Sequence, residues 1–156
     1  MQILLDADSC PKPVRDIIIR SSQRKKIPVI FAANRPIPGT GGAVIMEVCP
    51  PGAGSADNRI VELAKPGDLA VTRDLPLAER LVEAQVCVLD DRGRIYTKEN
   101  IRYFRSLRDF SVGLAENGLG IERTANYGKK ELKKFADSFD RELSRLLNNP
   151  EHRPAD

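Results

Sequence analysis

The chain of 156 residues has the length of one domain and can bury a core of useful area. With 41% hydrophobic and 30% charged residues, no tryptophan and 5% aromatics, it fits a small aliphatic core under a charged surface. A net charge of +3 permits a polyanionic partner without demanding one, and three scattered cysteines without a C-x-x-C pair argue against a disulfide framework or a zinc site.

No apolar run approaches the roughly 20 residues of a membrane span, and no early stretch combines a basic start, an apolar run and a small-residue cleavage site, so no membrane partner and a cytoplasmic location are expected. Ile3-Leu4-Leu5 reads as a buried strand ending abruptly in the polar corner Asp6-Ala7-Asp8-Ser9-Cys10-Pro11. Pro11 and Pro13 suit a helix entrance, and Val14, Ile17, Ile18 and Ser21 share a face, predicting a helix over about residues 13–25. Residues 28–32 form a second buried strand, residues 34–42 a proline- and glycine-rich loop, and residues 44–48 a third strand.

A helix is predicted over residues 56–64, with Ile60, Leu63 and Ala64 toward the sheet and Pro66-Gly67 as its stop. Residues 69–72 give another short strand that again ends at an acid, Asp74. Pro76 opens a helix whose Leu77, Leu81 and Ala84 share a face, and residues 86–89 are a fifth strand. Strands alternating with helices through short loops predict an α/β fold with a parallel, doubly wound sheet. From Lys98 the pattern is helical: Ile101, Phe104, Leu107 and Leu114 mark one helix, and Leu132, Phe135, Ala136, Phe139, Leu143 and Leu146 a longer one, before a frayed tail over residues 148–156.

Ligands of open parallel sheets bind beyond the carboxyl ends of the strands, where Asp6, Asp8 and Asp74 are placed by this pattern. Asp6 and Asp8 alternate in an extended segment, so a turn starting at Ala7 is needed to bring both carboxylates to one side. Asp57, at the start of a helix, is read either as its cap or as a fourth member of the group. Clustered aspartates repel one another unless a cation neutralises them, and an oxygen-only set suits Mg²⁺ or Mn²⁺.

The segments Leu5-Asp6-Ala7-Asp8-Ser9-Cys10-Pro11, Ala32-Ala33-Asn34, Ala56-Asp57-Asn58-Arg59-Ile60-Val61 and Gly67-Asp68-Leu69-Ala70-Val71-Thr72-Arg73-Asp74-Leu75-Pro76-Leu77-Ala78 resemble the bacterial YaiI/YqxD family, also called DUF188 or UPF0178. Gly93-Arg94-Ile95-Tyr96-Thr97 and Arg108-Asp109-Phe110 extend the resemblance over roughly residues 1–147, which are read as a single PIN-like domain. The family is biochemically uncharacterised, but it is similar to the PIN-like nuclease superfamily. That similarity implies a three-layer α/β/α fold with a mostly parallel central sheet, plus C-terminal helices. It also implies metal-ligating acids at the end of the first strand, on a mid-chain helix and after a Thr-x-Asp strand end, which Asp6, Asp57 and Asp74 match in order. The further acid that often follows the third is replaced here by Leu75-Pro76-Leu77-Ala78, and Asp8 is the candidate substitute.

The expected activity is therefore metal-dependent phosphodiester hydrolysis, on RNA rather than DNA. The candidate nucleic-acid contacts are Lys12, Arg15, Arg73, Arg102, Arg105 and Arg108. Each has a plainer reading as a solvated or locally paired side chain, with Arg105 able to pair with Asp109 at the next turn. Thr72 is read either as a phosphate-holding hydroxyl or as an ordinary strand-end threonine, and Cys10 as a small buried apolar residue. His152 lies in the tail, so no histidine is placed as a general base. Two rivals differ in class. One is a non-catalytic nucleic-acid-binding or interaction module, with salt-sensitive binding and no turnover. The other is a phosphatase in which the first acid of the Asp6-x-Asp8 pair is the nucleophile.

Overall fold

In β1 (Ile3–Asp6) successive side chains point to opposite faces, so Ile3 and Leu5 join one core and Leu4 the other. The computed structural model describes residues 1–38, 40, 42, 44–52, 54–116 and 127–149. β2 (Val29–Ala33) divides in the same way, with Val29, Phe31 and Ala33 against Ile30 and Ala32. In β4 (Leu69–Val71), Leu69 and Val71 oppose Ala70, and in β5 (Cys87–Leu89), Leu89 opposes Val88. Burial on both faces is why these strands read as unbroken apolar runs. Together with β3 (Ile45–Val48) and β6 (Ile95–Tyr96) they form one sheet in the order β3-β2-β1-β4-β5-β6.

All neighbours pair in parallel except β5 and β6. The antiparallel β6 is absent from the sequence reading, because two residues are too few to display an alternation. One helical layer consists of α1 (Lys12–Lys25) and α5 (Lys129–Leu147), which bring Val14 and Ile18, and Phe135, Phe139, Leu143 and Leu146, onto the first core. The opposite layer is α2 (Ser55–Leu63), α3 (Leu75–Glu83) and α4 (Ile101–Glu116). Ala56, Ile60, Leu77, Ala78, Leu81, Val82 and Ile101 face its core. The architecture is thus the expected three-layer α/β/α, and the two C-terminal helices belong to its layers.

The end of α4 departs from the expected pattern. Phe104 packs edge-on against Tyr96, with ring centroids 5.8 Å apart, and Arg105 pairs with Glu79 of α3. From Arg105 to Val112 every residue is exposed, including Leu107, which the spacing had placed on the core face. Among the described residues no element covers this stretch, so the period persists without burial. The side chain of Leu114 and residues 150–156 of the expected tail lie outside the described part. Leu107→Gln is expected to change unfolding free energy by less than about 0.5 kcal/mol, whereas Ile101→Ala costs about 2–4 kcal/mol, which urea denaturation of both variants checks. No helix among the described residues is long and apolar enough to cross a membrane.

Candidate active site

β1 leads through α1 to β2 on one side, while β4 pairs with the other edge of β1 and leads through α3 to β5. The two connections cover opposite faces, which opens a crevice beyond the carboxyl ends of β1 and β4. Asp6 is the last residue of β1 and is only 7% exposed. Its Oδ2 accepts from Ser9 Oγ at 3.0 Å and from Thr72 Oγ1 at 3.1 Å. The Asp74 backbone N–H in turn donates to Thr72 Oγ1 at 3.0 Å. Thr72 therefore ties the β1 acid to the chain after β4, and its strand-end position is a positioning role for Asp6.

Burial pushes the Asp6 carboxyl above the usual carboxylate value; the Ser9 and Thr72 hydroxyls oppose that, and the charges of Asp74 and Asp8 add to it. Asp74 is the N-cap of α3, its Oδ1 accepting from Leu77 N at 2.9 Å, with Pro76 helping to start the helix. Asp57 is not the cap of α2, because the chain enters that helix at Gly54 and Asp57 stands in its first turn. Its half-buried carboxyl is raised by burial and then by Asp74 and Asp6, with Arg80 opposing. Acids from β1, α2 and the start of α3 thus act on one another across the crevice.

A 3₁₀ turn over Ala7–Ser9 supplies the change of direction the sequence required. Asp8 is exposed, and its Oδ2 accepts from Asn34 N at 2.9 Å. Among the described residues no group of three or more His, Cys, Asp or Glu side chains is set closely enough to hold a metal ion by itself.

Of the cations singled out in the sequence, Lys12 pairs with Asp16 at 2.9 Å and Arg15 donates to the Cys10 carbonyl at 2.8 Å. Arg105 pairs with Glu79, and it is Arg108 that stands 3.7 Å from Asp109. Arg102 is exposed on α4. Arg73 remains at the crevice, with its Nε 3.3 Å from Asp91 Oδ2. Asp91 is an acid the sequence reading passed over. It is 2% exposed, burial raises its carboxyl while Arg73 opposes, and its Oδ2 has no aligned hydrogen bond. The signal was present: Val88-Leu89-Asp90-Asp91 repeats the strand-then-aspartate pattern of β1 and β4.

Cys10 is buried beside this group, and burial, followed by the Asp6 charge, pushes its thiol up. It is the small apolar residue expected. In the folded protein at pH 8 Cys10 should resist a thiol-exchange reagent that modifies all three cysteines in denaturant, as mass spectrometry of the labelled peptides would report.

The family model described as an uncharacterised YaiI/YqxD family matches residues 4–145. A UPF0178 protein of Treponema denticola is 46% identical over 147 residues, covering 94% of each chain. Those of Treponema pallidum and Myxococcus xanthus are 42% and 44% identical, covering 99% and 94% of this chain and 88% and 97% of their own. No solved structure matches the chain.

Proposed function

From a chain that belongs to the YaiI/YqxD family, a family whose name assigns no reaction, we propose a divalent-metal-dependent nuclease that hydrolyses phosphodiesters, with RNA ahead of DNA as the candidate substrate. The observation that carries the reading is the tie between Asp6 at the end of β1 and Asp74 at the start of α3 through the Thr72 hydroxyl, at the carboxyl rim of the crevice between β1 and β4, with Asp57 of α2 near enough to feel both charges. Burial alone would favour neutral residues there, and acids raised by one another's charge are relieved by a cation.

The donors fit Mg²⁺ or Mn²⁺ in kind, since all are carboxylate oxygens. In number they fall short, since among the described residues no three of these carboxylates are set closely enough to hold a metal ion, and water would have to fill the rest of its shell. Asp6, Asp8, Asp57 and Asp74 are the candidate ligands, of which the structure as it stands would bring fewer than three to one ion. When bound, it would supply charge neutralisation at a phosphate and an acidified water. Ser9 and Thr72 fix the Asp6 carboxylate, the α3 backbone fixes Asp74, and Arg73, steadied by Asp91, presents its guanidinium at the rim where a phosphate would lie.

The test is cleavage of labelled single- and double-stranded RNA and DNA with Mg²⁺, Mn²⁺ or EDTA, comparing the protein with Asp6→Asn and Asp74→Asn. Metal-requiring cleavage of RNA that vanishes in both folded variants is expected. Equal cleavage by all three proteins, or none on any strand, overturns the reading.

A further inference from the structure

β5 and β6 are joined by a turn that is held unusually firmly for a surface connection. The buried Asp90 accepts through Oδ1 from the backbone N–H groups of Arg92 at 2.9 Å and Arg94 at 2.8 Å, and Tyr96 Oη lies 3.4 Å from its Oδ2. Gly93, at φ +84°, presses the turn onto α5 so closely that a Cβ there would stand 2.5 Å from the Lys134 carbonyl oxygen. Between the turn and the first half of α5 lies a cavity of about 580 Å³. Arg92 and Arg94 line it from the turn, and Lys130 and Lys134, one helical turn apart, from α5.

Three cations there, Arg92, Lys130 and Lys134, meet two carboxylates, Glu131 and Asp137, while the Arg94 guanidinium lies 4.1 Å from the centroid of the Phe104 ring of α4. Glu131 is already engaged, its Oε2 accepting from Gly128 N at 2.9 Å at the start of α5 and its Oε1 lying 4.0 Å from Arg92. Lys130 and Lys134 are exposed and make no ion pair with a described residue. One chain link joins the cavity to the crevice: Arg73 at the end of β4 pairs with Asp91, the residue before Arg92.

We propose that this cavity, through Lys130, Lys134 and Arg92, binds the phosphodiester backbone of a single-stranded nucleic acid and leads the strand to the acidic crevice. Ammonium and guanidinium groups on two rigid elements suit successive phosphates, the first as point charges and the second as forked donors. Single strands are favoured because a phosphate must approach Asp6, a mostly buried carboxylate, and a flexible strand can bend into the crevice where a stiff duplex cannot. The inference rests on the reading of the crevice as a phosphodiester site.

Binding of a short labelled RNA, and of DNA of the same sequence, is measured by fluorescence anisotropy in EDTA over a range of KCl concentrations. Lys130→Gln/Lys134→Gln should weaken binding about tenfold and lower the salt slope by about 1–1.5, the loss of two phosphate contacts on a single strand. Lys26→Gln/Lys65→Gln removes the same charge before β2 and β4, at the opposite edge of the sheet, and should leave both quantities unchanged. Unchanged binding in the first pair, or equal loss in the two pairs, overturns the proposal. Because EDTA abolishes metal-dependent turnover, failure of the nuclease reading leaves this measurement intact, and cleavage that survives with normal RNA affinity in the first pair overturns the cavity alone.

Discussion

Asp6→Asn is expected to lower metal-dependent RNA cleavage by about 10²–10³-fold or more while raising the melting temperature at pH 7. The two effects have one cause. At the end of β1, burial and then the charges of Asp74 and Asp8 disfavour the Asp6 carboxylate, with Ser9 and Thr72 opposing, so its folded-state titration lies above the unfolded value of 3.8. A carboxyl raised on folding contributes stability that is full below the unfolded value and is lost as pH rises through the folded one. Asparagine removes that loss while its amide still meets the Ser9 and Thr72 hydroxyls, which can accept as well as donate. The gain in melting temperature should therefore shrink as pH falls toward the unfolded value, and differential scanning calorimetry at several pH values reads it directly. A variant that is inactive and also less stable at pH 7 would mean that Asp6 is a structural acid. Asp74 provides the contrast. Asp74→Asn keeps the N-cap and Asp74→Ala loses it, so only the alanine variant should give up about 1 kcal/mol, although both lose the carboxylate.

Strand-then-acid is a local signal, and it made the ends of β1 and β4 legible: each apolar run is buried on both faces and each stops where the chain turns to solvent. The same signal at β5 led to Asp91, which went unread because no family position pointed to it and because its partner, Arg73, is supplied by the neighbouring strand end. Pairings across elements are invisible to spacing. Arg105 has Asp109 one turn away yet reaches Glu79, because α3 packs beside α4. Asp57 could be read from spacing either as a cap or as a member of the acidic group, and the helix begins earlier, at a glycine in the left-handed region, so the capping position is not Asp57's. Leu107 shows the reverse failure: the helical period was right, and nothing in the period reports that the neighbouring elements end first.

Gly93→Ala should cost about 3 kcal/mol, or roughly 6–12 °C in Tm, the larger share from packing and the rest from backbone strain. Gly54 separates the two. At φ +80° it has nothing within 4 Å of where a Cβ would stand, so Gly54→Ala should cost only the left-handed strain, about 1 kcal/mol. At Gly93 the same backbone conformation is combined with contacts of 2.5 Å to the Lys134 carbonyl oxygen and 2.8 Å to Ser138 Oγ. The hydroxyl can rotate away, but the carbonyl is part of α5 and cannot move without shifting the helix. The turn must therefore lift off α5 in the alanine variant, which moves Arg92 and Arg94 away from Lys130 and Lys134 while every cation remains. If the cavity acts through its geometry, RNA affinity in EDTA should fall in Gly93→Ala with no change in net charge, and fall little in Gly54→Ala. If affinity depends on total charge alone, both variants should bind as the unmodified protein does. Urea unfolding and anisotropy on the same two proteins decide between these outcomes.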